Sequence, residues 1–365
     1  MRELTIEDLR DLSRGAAVLG TGGGGDPYVG RLLAERQLAL GRRIRVISPD
    51  ELDDDALVVP TSMMGAPTVI VEKLPSGEEN VTALRALEAR LGRSAAATMP
   101  VECGGVNSMI PLYMAAKLDL PVVDADGMGR AFPELQMETF HVYGVPGTPM
   151  SVADEKGDAT VVESGSNHRM EWLARGVTIR MGGASYVSMY PMTAAEVRRT
   201  AIPGTLGLAQ GIGAALRTAR EEHRDPFAAL TEMLAGTIYS HGAVLFRGTV
   251  VDVERRPVEG FARGRARLEP FEGDDWLELT FQNEYLVARS EGETRAVVPD
   301  LICTLDTETG EPITTEALRY GQRITVYTVS TPEIMRTPAA LETFGPAAFG
   351  LPDPYVPVEQ MPATT

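Results

Sequence analysis

The chain has 365 residues, a formal net charge of −17 and 44% hydrophobic residues. That length can bury a large core and is long for one domain, so two domains are expected. The acidic balance disfavours nucleic acid and anionic membranes as partners, and no apolar run approaches the roughly 20 residues of a spanning helix.

The opening segment, Met1-Arg2-Glu3-Leu4-Thr5-Ile6-Glu7-Asp8, has no apolar signal core, so a cytoplasmic location is expected. Ile6 to Val18 has helical spacing at Leu9, Leu12 and Ala16. Four consecutive glycines, Gly22 to Gly25, follow. Such a run is costly to order, and is tolerated where φ must be positive or where bare N–H groups must approach a ligand. Asp26 suits an N-cap and Pro27 the first position of a helix over Tyr28 to Arg36. The run therefore reads as a glycine loop feeding a helix N-terminus, a place for an anion or a polarised carbonyl. The alternative is a tight structural turn. It is not a P-loop, because Asp26-Pro27 stands where Lys and Ser/Thr are required. A dinucleotide fingerprint fits Gly20, Gly22 and Gly25 weakly, since a glycine run matches many spacings and a helix, not a strand, precedes it.

Short apolar runs at Ile44 to Ile47 and Ala56 to Val59 read as strands, and Glu78 to Arg93 as a helix with Leu84, Leu87 and Leu91 on one face. Ala95 to Met99 predicts a strand, Ser108 to Leu118 a helix, and Pro121 to Asp124 the next strand. This rhythm implies a mainly parallel sheet covered by helices, with ligands beyond the carboxyl ends of its strands. Short strands follow at Met137 to Tyr143, Thr148 to Val152 and Ala159 to Val162. Helical patterns cover Thr193 to Glu222, interrupted at Pro203-Gly204, and Asp225 to Leu234. From Thr237 to Val329 the chain is β-rich, with strands at Ala243 to Val253, Trp276 to Phe281, Tyr285 to Arg289, Val297 to Leu305 and Arg323 to Val329. The fold class is therefore an α/β N-terminal domain with a mainly parallel sheet, plus a β-rich C-terminal domain with a few helices. The expected division is 1–165, 166–355 and a tail at 356–365, disordered after Glu359.

Three further segments follow strands of the first domain: Ser62 to Pro67, Glu102 to Asn107 and Asp124 to Glu134. With the glycine loop they could converge on one sheet edge. Glu102, Asp124, Asp126 and Glu134 form a carboxylate set able to act as general acid and base or to hold a divalent cation. The alternative for each is capping or turn-making. Cys103, just before a predicted helix, is a candidate nucleophile or a small buried hydrophobe. Cys103 and Cys303 lie far apart, so neither a disulfide nor a CxxC metal site is expected. The four histidines, His141, His168, His223 and His241, lack zinc-site spacing. Of these, His168 at the predicted domain junction and His241 before a strand are the candidates for a functional role.

Gly20-Thr21-Gly22-Gly23-Gly24-Gly25-Asp26-Pro27, Met63-Met64-Gly65-Ala66-Pro67 with Glu72-Lys73, Glu102 with Gly104-Gly105 and Asn107, and Asp124 through Gly127-Met128-Gly129-Arg130-Ala131-Phe132-Pro133-Glu134 together resemble the DUF917 family. That family is also called the S-methyl thiohydantoin desulfurase family. The resemblance runs from about Leu9 to about Leu351, with Gly182-Gly183-Ala184 where the second domain of the family begins. It implies hydrolytic C–S cleavage, as a desulfurase or desulfhydrase, on a thiohydantoin or S-methyl thiohydantoin ring or a related small cyclic amide. It also implies a hydantoinase-like ATPase as a partner, since members are often encoded with or fused to such proteins. A homo-oligomer is expected.

On this reading the catalytic set is Glu102, Cys103, Asp124 and Asp126, with Glu102 or Asp124 activating water. The ligand-binding set is Thr21, Gly22, Gly23, Gly24, Gly25, Asp26, Met64, Gly65, Asn107, Arg130, Glu134 and His168. The glycine N–H groups would bind the developing anion. Asn107 and Asp126 would orient the ring. Arg130 would pair with a substrate carboxylate or, at i,i+4, with Glu134. A metal-assisted version would use the carboxylates and a histidine. Two other readings stand beside it: a non-catalytic partner subunit of a hydantoinase-like ATPase, and a nucleotide-dependent phosphotransferase, which the missing Gly-Lys-[Ser/Thr] disfavours.

Overall fold

A computed structural model describes residues 1–65, 69, 73–258 and 261–361. Two β-sheets organise them. The first has the spatial order Arg2–Glu3, Arg45–Ile47, Pro121–Val123, Ala97–Met99, Leu57–Gly65, Ala184–Ser188, Met150–Ala153, Ala159–Val162. Met192–Thr193 pairs with Leu57–Gly65 as well. The run from Arg45–Ile47 to Leu57–Gly65 is parallel, and every other pairing is antiparallel, so the sheet is mixed. This sheet continues past residue 166.

The long strand Leu57–Gly65 has two partners in turn. Val58 to Pro60 pairs with Ala97–Met99, and Thr61 to Gly65 pairs with Ala184–Ser188. Its second half thus extends beyond the carboxyl end of Ala97–Met99, where Glu102 follows. This is the edge at which α/β sheets place ligands.

The second sheet is antiparallel throughout, in the order Glu293–Val297, Glu284–Ser290, Leu277–Gln282, Phe261–Pro270, Gly242–Val258, Arg323–Val329, Leu301–Asp306. It curls so that Glu284–Ser290 also contacts Leu301–Asp306. Phe261–Pro270 was not evident as a strand from the sequence. Its outward arginines and buried Ala266 and Leu268 alternate, but the apolar half of the pattern is sparse. The expected strand Val297 to Leu305 is broken at Pro299, which has no N–H to donate to a ladder, into Glu293–Val297 and Leu301–Asp306. The strand expected over Met137 to Tyr143 is instead a short helix, Thr139–Val142. Met137 and Phe140 are both buried, three residues apart, which is helical spacing. The predicted helical stretch from Thr193 forms two helices, Ala194–Thr200 and Thr205–Glu221, separated at Ile202–Pro203. Val358–Gln360 forms a short helical turn, and residues 362–365 of the expected tail lie outside the described residues. Among the described residues no helix is long and apolar enough to cross a membrane.

The halves share a core in which Leu9, Leu12, Leu206, Ile212, Cys303 and Val329 are all buried. Burying one such leucine contributes about 2 kcal/mol. At its centre the helices Ile6–Leu19 and Thr205–Glu221 touch backbone to backbone. A Cβ on Gly15 would sit 1.7 Å from the Ala209 carbonyl oxygen, and one on Gly213 1.8 Å from that of Asp11. Arg217 locks the crossing from outside, donating to Asp11 Oδ1 at 2.9 Å and Oδ2 at 2.8 Å. Gly15→Ala and Gly213→Ala are each expected to cost about 3 kcal/mol of stability, because backbone must move to admit the methyl. Gly176→Ala, in the helix Asn167–Arg180 with nothing within 4 Å of its added methyl, should instead gain up to about 1 kcal/mol. Urea unfolding of the three variants checks both directions.

Candidate functional site

The glycine loop is held by its own backbone and by the second sheet. Gly22, Gly24 and Gly25 have φ of 86°, 71° and 73°, which only glycine adopts without strain. Gly23 N–H donates to the Gly20 carbonyl at 2.8 Å, and the Gly22 carbonyl accepts from Thr315 N–H at 2.7 Å. The Gly24 carbonyl accepts from Val106 N–H at 2.9 Å. Gly24 N–H donates to Glu284 Oε1 at 3.1 Å. A Cβ on Gly23 would sit 2.1 Å from that same carboxylate oxygen, so bare backbone is what lets Glu284 approach. The loop is therefore not an open cradle of N–H groups for an anion, because Gly23 and Gly24 already have acceptors. Thr21 also faces inward, its Oγ1 accepting from Arg130 at 2.7 Å. Asp26 is exposed and accepts from Tyr28 N–H at 2.9 Å, tying down the following helix.

The loop closes one wall of a cavity of about 60 Å³. Its polar lining includes Glu102, Asn107, Glu134, Arg175 and Glu284, with Met64, Gly65 and Gly24 beside them. The segments expected to converge do meet here, joined by Glu284 from the second sheet. Ala66, Pro67 and Glu72 lie outside the described residues. Asn107 orients Glu102: its Nδ2 donates to Glu102 Oε1 at 2.6 Å and to the Met63 carbonyl at 3.2 Å, while its Oδ1 accepts from Met63 N–H at 2.8 Å. Asn107 therefore serves a carboxylate and a strand. Among the described residues, Glu102 Oε2 and Glu284 Oε2 have no hydrogen-bond partner.

Burial pushes the Glu102 carboxyl well above the usual carboxylate range. The Asn107 donor opposes this, and the charges of Glu284 and Asp126 add to it. The raised pKa favours the protonated form of Glu102, which suits a proton donor more than the base expected from the sequence. Burial raises Glu284 to about 8, against Arg130 and the Gly24 N–H, which favour its ionised form. Glu138, also fully buried, is pushed well up by burial and by Asp126 and Glu102. Its carboxylate approaches where a Cβ on Gly127 would sit 1.9 Å away. Sequence reasoning missed Glu138 and Glu284. The only local signal for Glu284 is its place after Asn283, the turn residue with φ of 58° between two strands.

Four sequence expectations need correction. Asp124 lies away from the cavity, its Oδ1 accepting from Leu206 and Gly207 N–H at 2.8 and 3.1 Å at the start of the helix Thr205–Glu221. It also pairs with Arg2 at 3.6 Å, so it caps a helix instead of activating water. Asp126 Oδ2 takes N–H bonds from Cys103, Gly129 and Met128 at 2.8, 2.8 and 3.3 Å, so it builds the loops instead of orienting a ring; burial still lifts it to about 6. Cys103 is fully buried, and burial with the neighbouring Asp126 and Glu102 charges pushes its thiol well up, so it is not a nucleophilic thiolate. Arg130 is fully buried and donates to Thr21 Oγ1 and to the carbonyls of Ala131, Tyr285 and Asp300, so it reaches neither a substrate carboxylate nor Glu134.

His168 is not in the cavity. It packs edge-on against His141, ring centroids 5.4 Å apart, and lines a separate groove with about 1270 Å³ of space. Glu134 and Arg175 line both spaces, so the groove adjoins the cavity. Among the described residues no three His, Cys, Asp or Glu side chains are grouped so as to hold a metal ion.

These features define a protein of two interlocked domains whose acidic centre is assembled from both. Family models agree: the S-Me-THD-like N-terminal domain matches residues 7–164 and the S-Me-THD-like C-terminal domain residues 165–358. The chain belongs to this S-Me-THD-like family. It is similar to a crystal structure of a protein from Chromobacterium violaceum, 26% identical, with a TM-score of 0.80 over 98% of this chain and 100% of that one. Comparison with curated proteins finds no match.

The raised Glu284 carboxyl has a consequence for stability. It ionises at about 8 when folded but near the ordinary 4.5 when unfolded. Between these values the folded chain keeps a proton that the unfolded chain has released, so stability falls as pH rises from about 4.5 to about 8. Glu284→Gln keeps an acceptor for Gly24 N–H and removes the titration. Relative to the wild type, the variant should gain on the order of a few kcal/mol at pH 9 compared with pH 4.5. Equal differences at the two pH values, measured by urea unfolding, would contradict the assignment.

Proposed function

We propose that the chain is a hydrolase cleaving the C–S bond of a thiohydantoin or S-methyl thiohydantoin ring, with the cavity as its reaction centre. The observation that carries this reading is the pair Glu102 and Glu284 on one cavity. Both are buried, burial raises the pKa of both, and each has one oxygen without a hydrogen-bond partner among the described residues. Two carboxyls on one cavity can divide the roles of acid and base in one reaction. Membership in the S-Me-THD-like family supports the substrate class.

Glu284, in the ionised form it takes as pH rises through about 8, is the group that takes a proton from water. The water oxygen bonds to the ring carbon that bears sulfur. Glu102 in its protonated form gives its proton to the sulfur, and the C–S bond breaks. From the S-methyl ring methanethiol leaves and the new hydroxyl tautomerises to the carbonyl; from the thiohydantoin the new hydroxyl gives up its proton as it becomes the carbonyl, and that proton, passed to the sulfur, completes hydrogen sulfide. A proton passing from Glu284 to Glu102 resets the pair. Burial strengthens both transfers, because the surrounding dielectric is low.

The test is release of sulfide or thiol by the purified chain from a thiohydantoin and its S-methyl derivative. Glu102→Gln should lower kcat by at least about 100-fold, within the range for loss of a general acid, while leaving substrate binding nearly unchanged. Cys103→Ser and Asp124→Asn should keep turnover within a few-fold of wild type. Loss of turnover in Cys103→Ser, with Glu102→Gln active, overturns the mechanism. No turnover by the chain alone, with turnover appearing once a hydantoinase-like ATPase is added, would favour a non-catalytic partner subunit instead.

A further inference from the structure

The helix Asn167–Arg180 packs Met170, Ala174 and Thr178 inward and turns Trp172, Gly176 and Ile179 to water. These three share one stripe, at the spacing that puts residues on the same helical face. A surface helix ordinarily carries polar or charged residues there. Here Trp172 is 63% exposed and Ile179 64% exposed, and both line the wide groove together with Gly176. Contiguous apolar surface of this kind marks a place where another molecule packs.

Gly176 is the second observation. Inside a helix glycine is the least favourable residue after proline, so its presence calls for a reason. Each other glycine within an α-helix of the described residues, Gly15, Gly30, Gly207, Gly211 and Gly213, has an atom of another element within 3.1 Å of an added methyl. A methyl on Gly176 meets nothing within 4 Å. Gly15 and Gly213 show what such a residue does in this fold: they let two helices cross backbone to backbone. Gly176 has the same open backbone and no helix opposite it among the described residues.

Charge indicates what stands opposite. The chain carries −17, and like charge holds copies of it apart over most of their surface. Around this stripe the charges are mixed. Arg180 on the helix and Asp158 on the turn before Ala159–Val162 line the same groove, and neither enters an ion pair among the described residues. Arg169 lies 4.2 Å over the Trp172 ring and is likewise free of an acidic partner. A patch that meets its own copy across a two-fold axis must be self-complementary, with both signs at its rim and apolar side chains at its centre.

We propose that this helix pairs with the same helix of a second copy of the chain, the two crossing antiparallel at Gly176. Trp172 and Ile179 then fill the space on either side of the crossing, and the unpaired arginines of one copy face the acidic turn of the other. No step of the hydrolase reading enters this inference.

Sedimentation velocity of the full chain over a range of concentrations tests it. Wild type should form a dimer. Trp172→Glu and Ile179→Glu should each raise its dissociation constant at least about tenfold, because a few central side chains carry most of the binding energy of an interface. Gly176→Gln should do the same with an unchanged circular dichroism spectrum, since its own chain leaves that position open. The chain has two tryptophans, so Trp276→Phe leaves Trp172 as the reporter. Its emission should move to shorter wavelength as concentration rises through the dimer transition, and stay fixed when Gly176→Gln is added. A wild type that stays monomeric at every concentration leaves the stripe to some other partner and overturns the proposal. An oligomer that persists unchanged in Ile179→Glu and Gly176→Gln uses another face and overturns it as well.

Discussion

One buried guanidinium ties together the walls of the acidic cavity. Arg130 has no solvent exposure, yet its donors all find oxygen: Thr21 at the glycine loop, Ala131 beside it, Tyr285 in the second sheet and Asp300 just before its strand Leu301–Asp306. It also lies 4.8 Å over the Phe132 ring. Burial lowers it to about 10, so it stays charged at neutral pH. Carbonyl dipoles and a hydroxyl, not a carboxylate fork, receive its hydrogen bonds. The arrangement fixes the hairpin that bears Glu284 against the glycine loop. It also supplies positive potential that favours the ionised form of Glu284 against its burial.

The glycine run illustrates what a sequence can and cannot say. Its cost signals that bare backbone is required, and that is borne out by three positive φ values and by the contact of Gly23 with Glu284. Whether the bare backbone serves a ligand or another part of the chain depends on a residue some 260 positions away, which no local pattern encodes. The segments around Met64, Glu102 and Glu134 were legible as one neighbourhood because strands in an α/β sheet end on a shared edge. Asp124 and Asp126 share that segment and look equivalent in sequence, yet a short reach decides their fates. Asp124 meets the start of a helix, and Asp126 meets the amides of its own loop.

The strands of the second half were legible where aliphatic residues alternate and obscure where arginines fill the outward positions, as in Phe261–Pro270. The helices Ile6–Leu19 and Thr205–Glu221 were each readable from their spacing. Their crossing was not, because it depends on Gly15 and Gly213 meeting carbonyls of the opposite helix. Glycine inside a helix lowers its local propensity, so the residues that make the tertiary contact weaken the local signal that would reveal it.

The small size of the cavity and the raised carboxyls within it belong together. Carboxyl groups keep raised pKa values only while water is kept from solvating their charged forms. A wide, wet pocket at Glu102 and Glu284 would return both toward ordinary acidity. The groove beside Arg175 is the wider space, about 1270 Å³, and the cavity that holds Glu102 and Glu284 is about 60 Å³. Arg175 belongs to both spaces and is anchored by Glu171 and Pro133. Its guanidinium therefore stands at the boundary between the open groove and the buried acids, so its position bears on how far water reaches them.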